Sequence, residues 1–207
     1  MSLANPIHDN NLLKEMRAGN AAAFQTLYRQ HQAPLYRYAL LRSASEAMAA
    51  DVVQDVFMGL LADAYKFDPL RGSLQSFLFG VARNLILKRE EAGRRYVSTS
   101  ASSGSEDDDD VECEWMDEAA ADEQEPSQRL FASQVAEQVR RALAALAPHY
   151  RDVVVLYEMH DMSYLEIAQI CQIDIGTVRS RLSRARAALL TRLKHLEPDT
   201  AAASSAR

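Results

Sequence analysis

The sequence predicts an all-α protein, two small helical domains joined by a flexible acidic linker, with a helix-turn-helix in the second domain. Three observations carry that expectation. Glycine (7) and proline (6) are scarce among 207 residues, and the apolar runs are rich in Ala and Leu rather than β-branched residues. Apolar residues recur at three- and four-residue steps on both sides of the chain's middle. Between Val97 and Pro126 this periodicity vanishes into a stretch with twelve Asp or Glu and no Lys or Arg. Like charges at that density repel, and little apolar surface is available to offset chain entropy. The expected division is therefore a domain over 9–96, a linker over 97–126 with at most a short helix near Trp115 to Ala121, a second domain over 127–196, and a disordered tail over 197–207.

Each element has its own signal. Asp9 is placed to cap a short helix with Leu12, Leu13 and Met16 on one face, and Gly19 to end it. A second helix starts near Ala21 with Phe24, Leu27, Tyr28, Leu35 and Tyr38 as apolar positions, and Pro34 is expected to kink or split it. Ser45 suits the cap of a third, whose buried stripe reads Val52, Val53, Val56, Phe57, Leu60 and Leu61. Asp68-Pro69 and Arg71-Gly72 mark a loop over Tyr65 to Gly72. Ser73 then opens a fourth helix with Leu74, Phe77, Leu78, Val81, Leu85 and Ile86 inside, ending in the basic run Lys88, Arg89, Arg94 and Arg95. Periodicity returns at Ser127, through Leu130, Val135, Val139, Leu143 and Leu146. Pro148 suits the first turn of the next helix, which runs through Val153 to Met159.

The segment from Ser163 to Leu193 is the most informative. Ser163-Tyr164-Leu165-Glu166 is a capping box, in which hydroxyl and carboxylate each satisfy a free amide at a helix start. Ile167, Ala168 and Ile170 form the inner face of a short helix, and Cys171 to Asp174 makes a turn. Asp174 is placed to cap a second helix whose inner face is Val178, Leu182, Ala185 and Leu189. From Ile175 to Lys194 that helix carries six bases (Arg179, Arg181, Arg184, Arg186, Arg192, Lys194) and no acid. Thr177, Ser180 and Ser183 stand among them as donors to phosphate. A basic helix after a short turn fits the major groove, its first turns reaching base edges and its cations neutralising flanking phosphates. A basic face alone would read as solvated surface; the capping box, the turn and Ala168 at the tight helix contact argue for DNA.

Composition excludes other classes. The formal charge of −6 conceals an asymmetry: outside the acidic stretch 17 acidic and 23 basic residues remain, a net of +6. No run reaches the roughly 18 uncharged apolar residues of a membrane span, and Met1 to Met16 has no signal core, so a cytoplasmic protein is expected. Cys113 and Cys171 form no CxxC pattern and read as free thiols. No metal-ligand cluster, Gly-rich phosphate loop or triad-like grouping is present, so neither a metal, a cofactor nor an enzyme is expected.

Two segments also resemble a known family. Ala147-Pro148-His149-Tyr150-Arg151-Asp152-Val153, Ser163 to Ala168 and Gly176 to Arg186 resemble region 4 of the extracytoplasmic-function (ECF) sigma factors of bacterial RNA polymerase. Asp51-Val52-Val53-Gln54-Asp55-Val56-Phe57, Phe67-Asp68-Pro69-Leu70-Arg71-Gly72 and Ala82-Arg83-Asn84 resemble their region 2. The resemblance runs from about Leu12 to Leu193, leaving out the linker, and its order and spacing fit both halves. It implies a promoter-recognition subunit. Asp51, Gln54 and Asp55 would meet the clamp helices of core RNA polymerase. Phe67, Arg71, Arg83, Asn84, Lys88 and Arg89 would hold melted −10 DNA. Thr177, Arg179, Ser180, Arg181, Arg184 and Arg186 would read the −35 duplex, with region 4 also touching the polymerase flap. Phe77 stands where the family often has Trp and is expected in the core. An anti-sigma factor is a further implied partner. A two-domain regulator that senses a signal and binds DNA unaided is the rival; the Asp51 to Phe57 segment joined to the Phe67 to Gly72 loop argues against it.

Overall fold

The computed structural model describes residues 6–99 and 126–194, with side chains over 8–95 and 133–194; the Trp115 to Ala121 helix, most of the acidic linker and the tail fall outside the described residues. Among the described residues eight helices run α1 (Pro6–Arg17), α2 (Ala21–Ser43), α3 (Glu46–Leu61), α4 (Leu74–Thr99), α5 (Pro126–Ala144), α6 (Pro148–Glu158), α7 (Tyr164–Cys171) and α8 (Ile175–Leu193).

In the first half α2 packs on α1, α3 and α4. Asn20 caps α2, its side chain accepting from the Ala22 and Ala23 amides, and Ser45 caps α3 through the Met48 amide. Ser73 Oγ accepts from the Ser76 amide at 3.1 Å and so starts α4. The loop folds back over α3: Tyr65 donates to the Asp55 carbonyl at 3.4 Å, and its ring occupies the space a Cβ at Gly59 would take. Gly72, at φ 154°, turns the chain into α4 through backbone space that other residues rarely enter.

Four expectations need correction. Asp9 does not cap α1; it lies inside the first turn, buried, with a carboxylate oxygen 3.3 Å from His31 Nε2 of α2. Pro34 does not split α2, which is continuous from Ala21 to Ser43. The carbonyl its ring deprives of a partner is that of Gln30 on the exposed side, open to solvent, while buried Leu35 and Tyr38 hold the next turn. Leu61 is 47% exposed rather than part of the α3 stripe, because it turns away from the face shared by Val53, Val56 and Leu60. Finally, α4 continues to Thr99, three residues into the predicted linker, and α5 begins at Pro126.

In the second half Pro148 stands in the first turn of α6, and α8 packs on α5, α6 and α7 through Val178, Leu182 and Ala185. Arg151 clamps its own surroundings, donating to the carbonyls of Leu146 (3.1 Å), Ala144 and, across the molecule, Arg42 (2.9 Å). The two halves share one continuous apolar core: α2 lies against α5 and α6, and α4 lies against α7. His160 packs on Tyr38 and Phe79 at 6.3 and 4.7 Å between ring centres, and burial together with Arg37 pushes its imidazole down to about 4, so it stays neutral near pH 7.

Candidate nucleic-acid interface

The helix-turn-helix is built as its residues require. Ser163 Oγ accepts from the Glu166 amide, and the Glu166 carboxylate accepts from the Ser163 amide at 2.9 Å, closing the capping box. Burial opposes the Glu166 charge, but the hydrogen bonds from Ser163 and Ser76 prevail and hold its carboxyl below the usual range. Gln172 ends α7 in the left-handed conformation, φ 56°. Asp174 occupies the N-cap position of α8 without making a side-chain capping bond, so the turn is held by backbone, the Thr177 amide donating to the Asp174 carbonyl at 2.9 Å.

The outward face of α8 runs Gly176, Ser180, Ser183 and Ala187, all small and exposed. Small side chains there let the helix axis approach a groove closely, with cations on either shoulder. Arg179 and Arg184 are exposed on opposite shoulders, whereas Arg181 is half-buried beside the inner stripe. Arg179 lies over the Tyr164 ring at 5.9 Å. Arg186 is held by Glu158 at 2.7 Å and lies over Tyr157 at 5.1 Å. Ser180 donates to the Thr177 carbonyl at 3.0 Å, and Thr177 is half-buried.

In the first half the loop and α4 line an open cleft of about 530 Å³. Phe67, Arg71, Phe77 and Asn84 face it from one side, Gln169 and Gln172 of the helix-turn-helix from the other. Phe67 packs on Phe77 at 5.3 Å, so this pair is partly buried core and partly cleft wall. Arg71 and Leu70 are exposed at the loop tip, Leu70 to 96%. Asn84 and Lys88 lie exposed on α4, one turn apart. Arg83 is not with them: it is turned inward, its Nε donating to Asp152 at 2.9 Å with only 12% of its side chain exposed. Arg89 bonds Asp55 of α3 at 2.7 Å, which brings one residue of the −10 set against one of the polymerase set.

On α3, Asp51, Gln54 and Asp55 are exposed along one side, and Met58 and Leu61 continue that side at 57% and 47% exposure. Polar groups beside bare apolar side chains on one helix suit a protein partner. Met58 was legible from its three- and four-residue spacing to Asp55 and Gln54. By contrast, Ser76, Asp152, Gln169 and Gln172 left no signal in the sequence, because their significance comes from the packing of one half on the other.

Among the described residues no group of His, Cys, Asp or Glu could hold a metal ion. Cys171 is buried, and burial with the Asp152 charge pushes its thiol up to about 12. At neutral pH it should therefore resist maleimide and iodoacetamide in the folded protein and react only after unfolding in urea. Rapid labelling of Cys171 in the native state, read by peptide mass, would contradict the packing described.

Comparison with known proteins gives the same two halves. Residues 27–95 match the family model described as Sigma-70 region 2, and residues 136–189 match Sigma-70, region 4. The ECF RNA polymerase sigma factor SigL of Mycobacterium tuberculosis is 30% identical over 179 residues, covering 86% of this chain and 93% of SigL. The ECF RNA polymerase sigma factor SigE of Mycolicibacterium smegmatis is 29% identical over 86% of this chain, which spans 65% of that relative's length. Among solved structures, the sigma factor RpoE of Bartonella quintana, in complex with the anti-sigma factor NepR, superposes with a TM-score of 0.64 at 26% identity, covering 83% of this chain and 96% of RpoE.

Proposed function

This chain belongs to the ECF RNA polymerase sigma factors, and from that premise we propose that it docks on core polymerase and directs initiation at promoters through separate −10 and −35 contacts. The observation that carries the proposal is α8, an exposed helix with small residues along its centre, cations on its shoulders and no acid from Ile175 to Lys194. Such a helix neutralises phosphates on both sides of a groove while its first turns reach base edges. Arg179 is the base reader, Arg184 and Arg186 hold phosphate, and Thr177, Ser180 and Arg181 complete the surface.

The first half takes the melted strand. Phe67 and Arg71 offer a ring and a cation to an unstacked base, Asn84 offers an amide to a base edge, and Lys88 and Arg89 track the backbone, which Arg83 would join only on leaving Asp152. Asp51, Gln54 and Asp55, with Met58 and Leu61 beside them, meet the polymerase clamp helices, and region 4 meets the flap. The role is non-catalytic and cytoplasmic; no helix among the described residues is long and apolar enough to cross a membrane. An anti-sigma factor is the expected antagonist, as one holds the Bartonella relative.

The test is in vitro transcription by core polymerase with this chain across a genomic library of upstream regions. The expected outcome is a set of start sites sharing two spaced motifs. A chain that footprints duplex DNA alone and adds nothing to core polymerase would instead be a stand-alone regulator.

A further inference from the structure

Two tyrosines outside α8 carry two of its cations. Tyr157 stands in the last turn of α6, and Tyr164 opens α7 directly after the capping residue Ser163. Both are half-buried and pack at the rim of the core, with ring centres 5.3 Å apart and planes at 40°. The Arg179 guanidinium lies 5.9 Å from the centre of the Tyr164 ring, and that of Arg186 lies 5.1 Å from the centre of the Tyr157 ring. Glu158, next to Tyr157 on α6, holds the far end by bonding Arg186 at 2.7 and 2.8 Å. Arg179, Tyr164, Tyr157, Arg186 and Glu158 therefore form one continuous series across three helices.

The register of α8 makes this possible. Arg179 and Arg186 are seven residues apart, about two helical turns, so they share one shoulder. That shoulder lies against α6 and α7, on both of which α8 packs. Two tyrosines can fill the rim of a core without any cation above them. Here both rings are occupied, and by the cations of the same shoulder. The other shoulder is built differently: among the described residues Arg184 lies over no ring.

A ring and a carboxylate hold an arginine in different ways. The negative face of a ring attracts the guanidinium and leaves its fork of N–H donors available to a base edge. A carboxylate occupies the fork, as Glu158 does with Arg186. Among the described residues Arg179 has no carboxylate partner, only the ring. The ring also narrows the directions open to a long side chain, so less freedom is lost when that side chain meets DNA.

We propose that Tyr157 and Tyr164 are positioning residues for −35 recognition, holding Arg179 in its base-reading direction, with Arg186 and Glu158 anchoring the rear ring. This deepens the reading of α8 as the −35 helix and rests on it. Tyr157, which precedes the helix-turn-helix, then influences base preference through Tyr164 and Arg179 alone.

The experiment is transcription by reconstituted holoenzyme, with the full chain, on a library of single −35 substitutions. Tyr164→Leu and Tyr157→Leu should each lower discrimination about two- to fivefold, at the same −35 position that Arg179→Ala flattens. Tyr164→Phe keeps the ring and should keep the preference. In an Arg179→Ala background, Tyr164→Leu should change the preference no further. A fold-preserving arm compares Tyr164→Phe with the same variant carrying a ring-fluorinated phenylalanine, which keeps the shape and removes the negative face; discrimination should fall on fluorination. Two outcomes overturn the proposal. One is a loss of initiation on all −35 sequences alike in the Leu variants, with the preference profile intact, which is a structural role only. The other is an identical profile for the plain and fluorinated rings, which decides the matter even if the Leu variants do not fold. If Arg179→Ala itself leaves the profile unchanged, the −35 reading of α8 falls and the positioning role with it; if Arg179→Ala flattens one position and the tyrosine variants do not, only the positioning role falls.

Discussion

Asp51→Arg and Asp55→Arg should each weaken holoenzyme assembly by on the order of 2 kcal/mol or more, the scale of a central interface residue. Both side chains stand exposed on α3 beside bare Met58 and Leu61. An arginine there reverses the charge offered to the partner and buries it without a counter-ion. The pair behaves differently inside the free protein. Asp55 is bonded to Arg89, with side-chain exposures of 50% and 31%, a surface ion pair whose loss costs about 0–1 kcal/mol. Asp55→Arg also sets two arginines face to face, so Arg89→Gln serves as the control that breaks the pair without reversing α3. Gel filtration with core polymerase reads assembly, and circular dichroism reads the fold. If both reversed variants elute with core as the unaltered chain does, α3 is not the docking helix.

The helices were legible because each has a local cause. The Val52 to Leu60 stripe, the Ser163 to Glu166 box and Pro148 at a first turn all act within a few residues, and all appear where the periodicity put them. What failed was decided at longer range. Asp9 has the chemistry of a cap, yet His31 of another helix takes it into the core. Pro34 has the chemistry of a break, yet packing on both sides of it carries α2 through. Leu61 follows Leu60 in an apolar run, and only the direction of the neighbouring helices decides which of the two is inside.

The candidate site divides the same way. Its composition was readable, since six cations without an acid from Ile175 to Lys194 is a local fact. Its present availability was not. Arg83 reads as a DNA cation next to Asn84 in sequence, but the two point to different places once Asp152 arrives from residues almost seventy positions later. A motif states which residues a helix offers, while tertiary packing decides which of them face outward at a given moment.

That distinction sharpens what α8 should do when it is altered. Arg179 is exposed in the first turns and steadied over Tyr164, the position from which a recognition helix reaches bases. Arg179→Ala should cost on the order of 1–3 kcal/mol on the preferred promoter and relax the preference at one −35 position. Arg184 is exposed about one and a half turns further along on the other shoulder. Arg184→Ala should weaken all sequences alike and reduce the salt slope by about one unit, as expected when one phosphate contact is lost. Arg181 is half-buried beside the inner stripe, so Arg181→Ala should alter −35 preference less than Arg179→Ala does. Arg186 is already engaged by Glu158, and separating the two before DNA can use the guanidinium makes its contribution the smallest of the four. The measurement is transcription by reconstituted holoenzyme on a library of single −35 substitutions, repeated at several salt concentrations for each variant. If Arg179→Ala shifts neither base preference nor salt slope while the others do, the helix lies in the groove in another register; if none of the four shifts either, α8 is not the −35 reader.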